Sequence, residues 1–185
     1  MLLSRISTYI SCKKIYNIKK KDISFNFLST NSKYIKNKSI LVVNKKNNFR
    51  KKYIHEALEK GAIALITNYY FNDVNIPQFL VKNINHCMRN LLFQMNKISP
   101  NNTIGITGTN GKTSVVWNVS NIIYLLNRNV RSYGTLGYYN NLKKIENSIL
   151  TTPEYEILYQ KAFTNSKKNK YEFIFEVSSH SISKK

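Results

Sequence analysis

Acidic residues are scarce in this chain, where 9 Asp and Glu stand against 29 Lys and Arg in 185 residues and give a formal charge of +20. Such an excess can attract the phosphate backbone of a nucleic acid. Arginine, which reads base edges best, is scarce too, and the abundant Lys is spread along the chain with abundant Asn, Ile and Tyr. These four residue types share codons rich in A and T, so genome composition accounts for the charge. We expect no specific nucleic-acid partner.

Cysteine and long apolar runs are also scarce. Cys12 and Cys87 are far apart in the sequence and form no metal-ligand motif, a usage typical of a reducing compartment. No apolar run approaches the roughly 20 residues that a membrane helix needs. Hydrophobic residues still make up 42% of the chain, enough to bury a core. The composition predicts a cytoplasmic globular protein with no membrane partner.

The first half of the sequence predicts a small α/β unit. Three short apolar runs rich in β-branched residues predict strands: 39–43, 62–67 and 79–81. Two segments with apolar residues at helical spacing predict helices, the first of them ending before Gly61: 53–58 and 84–98. The polar turn at 99–102 then places a domain boundary, giving domains 1–99 and 100–185.

The second half begins again as a strand (103–107), a tight loop (108–111) and a helix that starts at Lys112. Five apolar residues fall on one stripe of this helix, which is expected to pack on a sheet: Val115, Val119, Ile122, Ile123 and Leu126. Residues 171–177 predict a later strand followed by a polar turn. Ligands of open α/β sheets bind at the carboxyl ends of strands, so a site is expected there.

The loop before the helix, Gly108 to Thr113, has the composition of a phosphate-binding loop. Its glycines let backbone N–H groups approach an anion, and the helix start adds unpaired N–H groups and the positive end of a dipole. Lys112 can neutralise phosphate charge, and the Thr113 hydroxyl can hold Mg²⁺. The general pattern G-x-x-x-x-G-K-[ST] is missed because Ile106 stands where its first glycine falls. The flanking strand and helix still supply the context that phosphate binding requires.

The loop resembles the variant found in Mur ligases, G-x-T-G-T-N-G-K-T, which residues 105–113 match at every fixed position. Three later segments resemble one branch of that family, the UDP-N-acetylmuramyl-tripeptide synthetases: Y-G-T-L-G-Y at 133–138, L-T-T-P-E at 150–154 and E-V-S-S-H at 176–180. Residues 31–33 stand where the family carries D-S-R. The resemblance implies a small N-terminal α/β domain that binds the UDP substrate. It also implies that a P-loop-type central ATPase domain with a mostly parallel sheet begins after it.

The resemblance also implies an activity, the ATP-dependent addition of a diamino acid, lysine or meso-diaminopimelate, to UDP-MurNAc-L-Ala-D-Glu during peptidoglycan synthesis. ATP and Mg²⁺ are the implied cofactors, and a monomer is the implied state. Lys112 and Glu176 are the implied catalytic residues, and Thr113 and Glu176 the implied metal ligands. The implied ATP-phosphate contacts are Gly108, Thr109, Asn110, Gly111, Lys112, Thr113 and Ser114. The implied substrate contacts are Ser32, Thr151, Thr152 and Ser178.

Measured against the family, the chain is expected to stop before the catalytic machinery is complete, without a C-terminal domain, and to be inactive alone. Two alternatives remain open. A ligase that adds glutamate to folate shares the loop, but residues 151–153 and 178–180 argue against it. A basic nucleic-acid-binding module is supported by charge only. His180 is assigned no chemistry.

Overall fold

A computed structural model describes residues 1–18, 22–45, 50–95, 98–163 and 170–179. The chain divides into two compact units, Met1–Met95 and Asn96–Lys185. Each unit is α/β and contains its own five-stranded sheet. His180 lies outside the described residues.

The first unit is built on a sheet with the strand order β1-β5-β4-β3-β2, in which only β1 runs antiparallel to its neighbour. Its strands are β1 (Cys12–Tyr16), β2 (Phe27–Ser29), β3 (Ser39–Val43), β4 (Ala62–Thr67) and β5 (Gln78–Val81). Its helices are α1 (Ile6–Tyr9), α2 (Lys52–Glu59) and α3 (Ile84–Met95). The three predicted strands and both predicted helices are confirmed, although α3 ends before the predicted residue 98. β1 and β2 were not predicted.

One core cluster of this unit lies between the sheet and α2, and α3 carries a second set of buried side chains. Ile54 and Ala57, on one face of α2, pack against β3 and β4 together with buried side chains of the neighbouring loops. Every residue of β3 is buried, which explains why its sequence is a continuous apolar run and does not alternate. Gly61 follows α2 with φ of 93°, and a Cβ there would lie only 2.9 Å from the Cα of Asn37. Both the backbone conformation and the close contact therefore require glycine at the predicted helix end.

The second unit has the strand order β6-β10-β7-β8-β9. Its strands are β6 (Thr103–Ile106), β7 (Asn129–Gly134), β8 (Gly137–Asn140), β9 (Lys143–Glu146) and β10 (Tyr171–Glu176), and its helices are α4 (Lys112–Leu125) and α5 (Tyr155–Ala162). β10 runs parallel to both β6 and β7, whereas β7, β8 and β9 form an antiparallel meander. The carboxyl ends of three parallel strands therefore meet at one edge of the sheet, beside the start of α4.

Only two residues of the predicted stripe of α4, Val119 and Ile123, pack on this sheet. The packing residues are Val116, Val119, Ser120 and Ile123. Three residues of the predicted stripe are instead 43%, 57% and 64% exposed: Val115, Ile122 and Leu126. The prediction was wrong for these three because α4 carries apolar residues around most of its circumference, so periodicity alone does not select a face. No described helix has the length and apolarity needed to traverse a lipid bilayer.

The amino end of β10 is fixed by a buried carboxylate. Glu172 accepts hydrogen bonds from the side-chain amides of Asn102 at 2.9 Å and Asn101 at 3.3 Å, and it forms an ion pair with Arg128. Burial alone would raise the pKa of Glu172, but the two amides and the Arg128 charge outweigh it and hold that pKa below its ordinary value. This cluster ties β10 to the segments that lead into β6 and β7.

Candidate nucleotide and metal site

The predicted phosphate loop connects β6 to α4. Gly111 caps the helix with φ of 79°, and a Cβ there would meet nothing within 4 Å, so glycine is required by the backbone conformation and not by space. Lys112 folds back over the loop, and its Nζ donates to the carbonyl oxygens of Gly108 at 2.7 Å and Thr109 at 3.2 Å. The 14-residue helix directs its positive end at the same loop. Lysine and helix start thus converge where an anion would sit.

Glu176 lies at the centre of the strand edge, at the end of β10 between β6 and β7, and is only 2% exposed. Its Oε2 accepts from the hydroxyls of Thr113 and Thr135, each at 3.1 Å, and its Oε1 accepts from the backbone N–H of Thr135 at 2.7 Å. All three donors are neutral. Within the described part of the chain no Lys, Arg or His forms an ion pair with this carboxylate.

A glycine makes room for this carboxylate. Gly134, the last residue of β7, is buried beside Glu176, and a Cβ on Gly134 would lie 2.7 Å from the Glu176 carboxyl carbon. Such an approach is far below ordinary van der Waals contact. The Glu176 side chain therefore crosses the β7 backbone at a place where only glycine fits.

Three predicted substrate residues, Thr151, Thr152 and Ser178, lie at the same strand end. The Thr152 hydroxyl donates to the main-chain carbonyl of Glu176 at 2.7 Å and accepts from the backbone N–H of Ser178 at 2.9 Å. The Thr151 hydroxyl lies 3.1 Å from that of Thr135. Thr113, Thr151, Thr152, Ser178 and Glu176, predicted from separate motifs, are thus brought together around the end of β10.

Ser32, the remaining predicted substrate residue, belongs to the first unit. It begins a short 3-10 helix, Ser32–Tyr34, and its buried hydroxyl donates to Glu56 at 2.8 Å. Lys60 donates to the other oxygen of the Glu56 carboxylate at 2.6 Å. The hydrogen bonds from Lys60 and Ser32 lower the pKa of Glu56. Ser32 therefore holds α2 to the preceding loop, and its substrate contact stays a prediction.

Two residues of the site were not predicted, Gly134 and Thr135. The signal for both was present but indirect. β7 and β10 are parallel with Tyr133 opposite Phe175, so the residues that follow each of these two must be neighbours. Without the pairing register, the Gly134-Thr135 dipeptide has no visible relation to Glu176, which lies 41 residues after Thr135.

The cluster suits a magnesium ion bound together with phosphate groups. Within the described ranges, no three His, Cys, Asp or Glu side chains gather as they do in all-protein metal sites. Instead, the buried carboxylate of Glu176 and the hydroxyl of Thr113, both hard oxygen donors, lie beside the glycine-rich loop 108–113. Mg²⁺ is commonly held in this way, by one or two protein oxygens with phosphate and water completing the shell. A buried carboxylate with no cationic partner is costly, and a bound cation would offset that cost.

This combination of parallel sheet, glycine-rich loop, lysine and strand-end carboxylate is that of a P-loop-type α/β domain. Residues 106–185 match the family model described as Mur ligase middle domain. Nearly all of the second unit is therefore similar to the Mur ligase middle domain.

Two similar proteins carry the same enzyme name, UDP-N-acetylmuramoyl-L-alanyl-D-glutamate–2,6-diaminopimelate ligase. The chain is 33% identical to that of Rickettsia montanensis over 161 residues, which cover 84% of this chain and 33% of the relative. It is 29% identical to that of Alkaliphilus oremlandii over 187 residues, which cover 98% of this chain and 37% of the relative. The chain thus spans about a third of the length of the curated relatives it matches.

Solved Mur ligases share the fold. A 2,6-diaminopimelate ligase structure superimposes with a TM-score of 0.52 at 22% identity, covering 85% of this chain and 33% of that one. MurF from Thermotoga maritima, solved in complex with ADP, gives a TM-score of 0.53 at 20% identity over 83% of this chain and 32% of its own. The chain therefore shares the α/β fold of Mur ligases over about a third of their length.

Proposed function

We propose that this chain binds ATP with Mg²⁺ at the loop 108–113 and serves the ligase reaction named in its relatives. The observation that carries the proposal is Glu176, a buried carboxylate that forms no ion pair with any described residue and is fixed beside Thr113 at the start of the phosphate-loop helix. Lys112 is placed to exchange its contacts with loop carbonyls for the β- and γ-phosphates. Thr113 and Glu176 would hold the metal, which when bound neutralises phosphate charge.

The reaction supported by this site is phosphoryl transfer followed by amide formation. The γ-carboxylate of D-Glu in UDP-MurNAc-L-Ala-D-Glu attacks the γ-phosphorus of ATP, which releases ADP and leaves an acyl phosphate. The amine of the diamino acid then attacks the acyl carbon, loses a proton and expels inorganic phosphate. Activation is needed because a carboxylate is a poor electrophile. The contribution of Lys112 and the helix start is charge neutralisation and positioning.

Thr151, Thr152 and Ser178 are proposed to line the substrate side of this site, and Ser32 to contact the uridine end. The enzyme name that these relatives share favours 2,6-diaminopimelate over lysine as the incoming diamino acid. A reducing cytoplasm, which supplies ATP, suits the free cysteines Cys12 and Cys87. A monomer without a nucleic-acid partner is the proposed state.

Nucleotide binding is the direct test. We expect the 185-residue chain to bind ADP and a non-hydrolysable ATP analogue more tightly with Mg²⁺ than with EDTA, as measured by isothermal titration calorimetry. Lys112→Ala should weaken binding at least tenfold, because it removes the positive charge that faces the phosphates. Lys143→Ala, on the exposed strand β9, is the matched control and should bind normally. A wild-type chain that binds neither nucleotide, while holding RNA tightly at physiological salt, would overturn the proposal.

A further inference from the structure

We propose that Thr135 is a positioning residue for Glu176, an inference that rests on the proposed function of the loop 108–113 as a nucleotide and Mg²⁺ site. Thr135 directly follows β7 and is exposed, yet it supplies two of the three hydrogen bonds that the Glu176 carboxylate receives in the described structure. Its backbone N–H binds Oε1 and its hydroxyl binds Oε2. One residue therefore grips both oxygens of the carboxylate and fixes the rotation of the carboxyl plane.

The direction of the hydrogen bonds around Thr135 follows from donor and acceptor counting. A carboxylate only accepts, so the single hydroxyl proton of Thr135 points at Glu176. The contact between the Thr135 and Thr151 hydroxyls must then run from Thr151 to Thr135. The resulting series of hydrogen bonds runs from Thr151 through Thr135 to Glu176. It keeps the hydroxyl proton of Thr135 directed at the carboxylate.

Thr113 makes a different kind of contact with the same carboxylate. Its hydroxyl also donates to Oε2, but Thr113 is itself a proposed metal ligand, so its oxygen would turn to the cation when Mg²⁺ binds. Thr135 is not needed as a ligand and can keep its hold. Glu176 would then retain the two Thr135 bonds in both states. Partners of this kind, which orient a metal ligand without touching the metal, change metal affinity by about 10–100-fold when removed.

The neighbouring backbone supports the same assignment. A Cβ on Gly134 would clash with Glu176, so the Glu176 side chain lies directly against the end of β7. Thr135 is the residue that follows this strand end. The Ser148 hydroxyl donates to the Thr135 carbonyl at 3.1 Å, which holds the turn after β7 in place. Thr135 is thus itself positioned from three sides: by β7, by Thr151 and by Ser148.

The test compares the affinity for ADP in excess Mg²⁺ with that in EDTA, by calorimetry and by the fluorescence of Trp117, the single tryptophan of the chain. In Thr135→Val the ADP affinity in Mg²⁺ should fall about tenfold, whereas the affinity in EDTA should stay within about twofold of wild type. The loss should be partial because the Thr135 backbone N–H remains. Thr135→Ser, which keeps the hydroxyl, should restore the Mg²⁺ effect. Thr103→Val, the same change on the exposed start of β6, is the matched control and should behave as wild type.

The outcomes separate this inference from the proposal beneath it. If Mg²⁺ strengthens ADP binding equally in wild type and Thr135→Val, Thr135 is not a positioning residue, although the nucleotide site stands. If wild type binds ADP without any Mg²⁺ effect, the proposed metal site fails and the inference with it. Equal losses in Mg²⁺ and in EDTA would mean that Thr135 only maintains the fold. Thermal melting monitors folding of each variant, and Thr135→Ala provides a second hydroxyl deletion if the valine variant does not fold.

Discussion

Replacing Gly134 with alanine adds one methyl group at the most crowded point of the site. The new Cβ would lie 2.7 Å from both Cγ and Cδ of Glu176. Carbon atoms in good contact are about 3.5–4.0 Å apart, so the carboxyl group must move by roughly 1 Å. The hydrogen bonds to Glu176, at 2.7 and 3.1 Å, cannot all survive a displacement of that size.

The expected cost follows from two contributions. Forcing an extra methyl into a packed site costs about 1–3 kcal/mol. Losing one hydrogen bond to a charged acceptor costs about 1.5–3 kcal/mol. We therefore expect Gly134→Ala to lower the free energy of unfolding of the second unit by about 3 kcal/mol. Urea unfolding can measure this through Trp117, which lies on α4 with its ring centroid 5.3 Å from that of Tyr139.

A double-mutant cycle identifies the cause of the loss. In a Glu176→Ala background the clash partner is gone, so adding Gly134→Ala should cost less than about 1 kcal/mol. The two substitutions should then show a coupling of about 2 kcal/mol, within the range seen for residues in contact. If Gly134→Ala costs the same with and without the Glu176 side chain, the proposed crossing of β7 by that side chain is wrong.

Two further predictions concern the rest of the second unit. Because the pKa of Glu172 is lowered in the folded state, its carboxylate stabilises the fold at neutral pH, and this contribution is lost as the pH falls through the folded pKa. Glu172→Gln should therefore lower the free energy of unfolding at pH 7 by about 1–3 kcal/mol. The difference from wild type should shrink below about pH 4. An equal difference at both pH values would show that the charge of Glu172 does not stabilise the fold. On α4, Ile122→Glu with Leu126→Glu should leave the urea midpoint unchanged, because both side chains are exposed. Val116→Ala, on the buried face of α4, should lower the urea midpoint. If the two Glu substitutions lowered the midpoint and Val116→Ala did not, the predicted stripe would be the packing face.

The phosphate loop could be predicted because its chemistry is contiguous in the sequence. Six neighbouring residues, 108–113, carry the glycines, the lysine and the hydroxyl, and the flanking strand and helix are equally local. The buried strands β3 and β4 were predictable for a similar reason, since a short unbroken apolar run is typical of a strand buried on both faces. Glu176 was singled out by a motif resemblance and by the scarcity of acids.

The face of α4 could not be predicted, because a helix that is apolar on most sides leaves the choice to its neighbours. Burial of Val116 and exposure of Ile122 follow from the position of β10 and β7 beneath the helix. The role of Glu172 was hidden in the same way, since its partners Asn101, Asn102 and Arg128 come from separate segments.

The sequence by itself determined that a glycine-rich loop followed by Lys112 and Thr113 lies between a strand and a helix, because these residues adjoin each other and the flanking patterns are local. Tertiary structure alone decided what surrounds the carboxylate of Glu176. Gly134 and Thr135 reach it only because parallel pairing of β7 with β10 brings distant strand ends to one edge. Pairing register depends on the summed packing of whole strands, so no single stretch of residues encodes it.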